Sequence, residues 1–102
     1  MSMQKAYRKF HDTPFPPDLS DNERLVDILF DLRMYDDYAA GTLDKYLSGG
    51  QVDASELKYD TSLENRLNEF INDGKNSDED VSAAKQYLEY LNRIKEVFEK
   101  IE

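Results

Sequence analysis

From Leu25 to Leu47, apolar side chains recur at intervals of three and four residues: Leu25, Ile28, Leu29, Leu32, Tyr35, Ala39, Leu43, Tyr46 and Leu47. A half-buried strand hides every second residue, whereas a helix hides every third or fourth, so this run closes a core only as a helix. The phase survives Gly41, and the spacing predicts one long helix over about 21–48, with two helices broken at Gly41 as the alternative. The rhythm returns at Leu63, Leu67, Phe70 and Ile71, which predict a shorter helix over about 62–73. It returns again at Ala84, Tyr87, Leu91, Ile94, Phe98 and Ile101, widened by Val81 and Leu88, for a helix over about 78–101. That last stripe is shorter than three heptads, too short for a free-standing coiled coil, so it is expected to pack inside its own domain. Valine and isoleucine are sparse and fall at helical spacing, so no strand competes. The expected fold is all-α: a small antiparallel bundle of three to four helices, the fourth a short N-terminal helix through Tyr7 and Phe10.

The breaks between these runs are chemically explicit. Asp12-Thr13-Pro14-Phe15-Pro16-Pro17-Asp18 holds three prolines, which lack amide donors and restrict their neighbours, so it reads as an extended connector. Ser20 and Glu23 have the spacing of a capping box, as do Thr61 and Glu64. Gly49-Gly50 and Gly74 are placed to end helices. Asp53 and Glu56 are placed to cap a single turn around Leu57, and Tyr59 to staple the helix that follows. Ser77 followed by Asp78, Glu79 and Asp80 opens the last helix with acids at its positive end. With 102 residues there is room for one core. Residues 1–19 read as a basic segment and Pro-rich connector, and 20–102 as a single helical domain.

Charge is unevenly spread. The net charge is −9, yet residues 1–11 carry +3, residues 12–48 and 49–84 each carry −6, and 85–102 balance. The acidic middle repels phosphate, which argues against direct nucleic-acid binding. It attracts basic protein partners, besides keeping the chain in solution. With no cysteine there are no disulfides and no thiolate sites. No apolar run reaches the roughly 18 residues of a membrane span, and Met1 to His11 lack the apolar stretch of a signal peptide. A cytoplasmic location without membrane contact is the expectation.

Residue types speak against catalysis. His11 is the only histidine, and no Gly-x-Ser-x-Gly elbow or phosphate loop is present. Glu-x-x-His is missing, and a calcium loop around Gly74 would place Ile71 at a ligand position. The expectation is no enzyme, no cofactor and no metal. Asp36 is an oddity, since helix arithmetic puts it within the Leu25/Leu29/Leu32 stripe. It is expected to lie at the stripe's edge or to pair with an arginine such as Arg66.

The long helix also has a second apolar row, Val26, Phe30, Met34 and Tyr38, each four residues apart and roughly opposite the first. Glu23, Asp27, Asp31 and Asp37 interleave with it. A helix apolar on two sides is central in its bundle or offers one side to a partner. Either Tyr7, Phe10 and Phe15 fold back over this row, or Asp27, Phe30, Asp31, Met34, Asp37 and Tyr38 form a partner-binding face. The leading functional expectation is a non-catalytic acidic domain that docks a basic protein and inhibits or regulates it. In size and charge such a chain is comparable with immunity proteins, antitoxins, anti-activators and nucleic-acid mimics, an analogy carried by no motif. The alternative is a structural or assembly subunit that self-associates, as a homodimer for example, through a helical stripe.

Overall fold

The structure, a computed structural model, describes residues 3–52 and 61–99. Among the described residues four helices follow one another: α1 (Met3–Asp12), α2 (Glu23–Leu47), α3 (Thr61–Asn72) and α4 (Asp78–Glu99). Among the described residues there is no strand, and the architecture is the small all-α bundle that the spacing predicts. The turn around Asp53–Leu57, Tyr59 and the last stripe position, Ile101, lie outside the described residues.

α2 runs unbroken through Gly41 for 25 residues, about 38 Å at 1.5 Å per residue. Its length sets the shape, 46 × 24 × 20 Å. The 14.4 Å radius of gyration exceeds the roughly 13 Å of a globule this long. α2 and α4 pack on each other, and each also touches α1 and α3. The core is Leu25, Ile28, Leu29, Leu32, Ala39 and Leu43 of α2, Leu63, Leu67 and Phe70 of α3, Phe10 of α1, and the inner arc of α4. That arc is broader than the stripe read from the sequence. Ala83, Tyr90 and Val97 are buried beside Ala84, Tyr87, Leu91, Ile94 and Phe98, so α4 is packed on two flanks. Among the described residues, no helix is long and apolar enough to cross a membrane.

Three helix ends differ from expectation. Ser20 and Glu23 do not form the cap of α2. Asn22 does, its side chain accepting from the amides of Arg24 and Leu25. Ser20 Oγ instead donates to the Asp80 carboxylate at the start of α4 and accepts from the Asn22 amide. Thr61 lies within α3 rather than capping it, and Glu64 lies 3.7 Å from Lys95 Nζ of α4. Gly74 has no left-handed backbone. The end of α3 is held by Asn76, whose side-chain amide donates to the Phe70 carbonyl at 2.9 Å. The end of α2 follows the glycine rule. Gly49 has φ +84°, its amide donates to the Tyr46 carbonyl, and the Gly50 amide donates to that of Lys45.

Candidate functional site

What covers α2 is decided by where the N-terminal segment goes. Phe10 is buried against the ring of Tyr90, and Phe15 meets the same ring edge-on at 5.1 Å. Further along the connector, the Leu19 amide donates to the Tyr87 hydroxyl, and Ser20 reaches Asp80. Residues 10–20 therefore descend along α4 from Tyr90 to Asp80. This overturns the expectation that Tyr7, Phe10 and Phe15 fold back over the second row of α2. The aromatic side chains find a deeper resting place on α4, where two tyrosines offer both ring faces and hydroxyl groups.

The second row is left bare. Phe30 is 62 % exposed and Met34 60 %, with Val26 and Tyr38 close to 40 %. At 100° per residue, Phe30 and Met34 point directly away from the side that holds Leu25, Leu32 and Leu43. Tyr38 leans on the Tyr35 ring at 6.1 Å, and Tyr35 stands edge-on to Phe98 of α4. One end of the row is thus anchored to the core through two rings, while Phe30 and Met34 project into solvent.

The acidic residues around the row differ in how they are used. Asp27 and Asp37 are exposed, and among the described residues neither takes an ion-pair partner. Glu23, at the helix start, is also exposed. Asp31 is half-buried and accepts from Arg66 of α3 at 2.6 Å, which ties that edge of α2 to the bundle. The arginines of α2 turn away from the row. Arg24 reaches Asp73 and lies over the Phe70 ring, and Arg33 lies over the Phe15 ring at 4.8 Å. Of the six residues read from the sequence as a binding face, the structure brings Asp27, Phe30, Met34, Asp37 and Tyr38 together on one exposed side. Asp31 sits at its rim, already engaged.

Asp36 is half-buried, in keeping with a place at the stripe's edge, and it does not pair with Arg66. Its carboxylate accepts from the Tyr90 hydroxyl. Burial raises its pKa above the ordinary carboxylate value, against the lowering effect of the Tyr90 hydrogen bond. The Tyr90 hydroxyl is pushed well above the usual phenol range by burial and by the carboxylate it faces. The hydrogen bond between them ties α2 to α4.

Other places offer less. A groove of about 320 Å³ runs between Thr13–Pro17 and α4. Of the side chains lining it, Tyr90 is engaged with Asp36 and Arg93 lies between Glu89 and Glu96. Among the described residues, no three histidine, aspartate or glutamate side chains gather to hold a metal ion. His11 is exposed on the last turn of α1, edge-on to Tyr7. The bare row was legible as a row, because four residues at intervals of four declare themselves. Tyr90, which decides where the connector rests, was missed as an organising residue. The signal for it was the seven-residue spacing of Ala83, Tyr90 and Val97. Comparison with protein-family models, curated proteins and solved structures gives no match to this chain.

Proposed function

We propose that this chain is a non-catalytic docking domain that holds a protein partner on the outer side of α2 and thereby inhibits or regulates it. One observation carries the reading: Phe30 and Met34 stand more than half exposed, side by side, on a helix whose opposite side buries Leu25, Ile28, Leu32, Ala39 and Leu43. Isolated exposed apolar residues are ordinary, but large ones aligned along one helix and bordered by acids form the pattern of a contact surface. The stripe on α4 is consumed inside the molecule, and among the described residues the exposed large apolar side chains, Leu19 apart, all lie on the α2 row.

The acids favour a different chain over a second copy. Two-fold pairing of α2 on α2 would set Asp27 and Asp37 of each copy near those of the other, and like charges brought together oppose binding. The test is capture from source cells by the immobilised chain, run beside a Phe30→Ala, Met34→Ala variant. A stoichiometric protein held by the parent and lost by the variant is the expected outcome. Identical retention by both baits would rule out this side of α2 as the docking surface.

A further inference from the structure

The row has a geometry that narrows what can sit on it. Residues at intervals of four make a ridge on a helix surface, and such a ridge fits the groove between the side-chain rows of another helix. From Val26 to Tyr38 the ridge is about 18 Å long at 1.5 Å per residue, close to three turns of a partner helix. The described chain is all helix and connector, so it has no strand edge on which a partner could add a strand.

Charge narrows it further. Taking Phe30 and Met34 as the centre line, helix arithmetic puts Asp27 on one side and Asp37 on the other, at opposite ends. A helix lying over that line meets one carboxylate on each flank. The whole chain carries −9, so a second copy presents the wrong sign on its own α2. Its basic helix, α1, does not fit either. Phe10 is spent in the core, and the exposed side of α1 carries Lys5, Arg8, Lys9 and His11 with no large apolar side chain among the described ones.

A third observation lies at Gly41. It falls on the centre line of the ridge, two turns beyond Met34, in the interior of α2. A Cβ added there would meet no atom within 4 Å, so nothing within the described fold makes use of the missing side chain. A partner backbone lying close at that point would use it.

We propose that the occupant is an amphipathic helix bearing lysine or arginine on both flanks of its apolar stripe, laid on the Phe30–Met34 ridge and closest to α2 at Gly41. The proposal rests on the docking role argued above and adds the chemistry of the partner.

The probe is a fluorescein-labelled helical peptide of about 18 residues, long enough to hold helical structure. It carries a leucine stripe flanked by lysine, and its counterpart has glutamate at every lysine position. Each is titrated with the intact protein and followed by anisotropy. The lysine peptide is expected to bind at least about tenfold more tightly than the glutamate peptide and to weaken as salt rises. Asp27→Asn with Asp37→Asn should weaken it about tenfold, as should Phe30→Ala with Met34→Ala. Glu69→Gln with Glu99→Gln, on α3 and α4, should leave it unchanged. Gly41→Met should weaken it while leaving the circular dichroism spectrum intact.

The outcomes separate the two claims. Equal binding of both peptides, lost in the Phe30 and Met34 variant, would keep the docking surface and overturn the basic helix. Binding of the lysine peptide that no α2 substitution changes would reduce it to diffuse charge attraction and overturn both. Failure of the lysine peptide to bind also overturns the proposal.

Discussion

Asp36 shows how one buried acid shapes the behaviour of its neighbourhood. Its folded pKa lies above the unfolded value, so the native state holds its proton more tightly than the unfolded chain. Stability from this group is fully present below the unfolded pKa and is lost as the pH rises through the folded one. Asp80 has the opposite sign. Its hydrogen bond from Ser20 lowers its pKa, so its contribution is present above the ordinary value and lost in acid. Asp36→Asn keeps an acceptor for the Tyr90 hydroxyl and removes the charge. Its stability relative to the parent is expected to increase from pH 4 to pH 7 in urea titrations, and a constant difference would deny the buried charge. Tyr90→Phe leaves the carboxylate without its donor, and at pH 7 it should destabilise by about 1–3 kcal/mol. The two phenylalanines of opposite burial give a second comparison. Phe70→Ala, at 0 % exposure, is expected to cost about 3–5 kcal/mol. Phe30→Ala should stay within about 0.5 kcal/mol in the isolated protein.

The helices of the three stripes were legible to within one or two residues at their described ends, because burial imposes a period that local chemistry cannot disguise. The stripe of α2 reads directly as Leu25, Ile28, Leu29, Leu32 and Leu43, all of which are buried. Helix ends were less legible because several polar residues compete for each one. Ser20 and Asn22 both precede α2. Asn22 takes the cap because Ser20 is held by Asp80, a residue 60 positions away. The candidate site was legible in composition but not in exposure. Whether the Phe30 row is covered depends on Phe10 and Phe15, and their resting place is set by Tyr90 on a distant part of the chain. At this scale the glycines make a sharp pair of expectations. Gly41→Ala should stabilise by about 0.5–1 kcal/mol, since the helix is continuous and the space is open. Gly49→Ala should destabilise by about 1 kcal/mol, because φ of +84° suits no side chain. Thermal melts followed by circular dichroism would check both, and equal signs would contradict the backbone geometry.

The N-terminal segment belongs energetically with the bundle, since Phe10 is among the core residues and the connector is fastened to α4 at Tyr90, Tyr87 and Asp80. Phe10→Ala is therefore expected to destabilise the whole molecule by about 3 kcal/mol or more in denaturant titrations. A loss under about 1 kcal/mol would mean that α1 rests on the bundle without supporting it. The same architecture bears on how the protein is made. α4 supplies eight of the buried apolar residues and touches every other helix, yet it comes last of the four in chain order. A ribosome adding about 5–20 residues per second takes on the order of seconds to pass from the end of α3 to the end of α4. Throughout that interval Leu25, Ile28, Leu32, Phe70 and Phe10 have been synthesised while the surface that will shelter them has not. Until α4 has been made, those side chains have no completed core to enter.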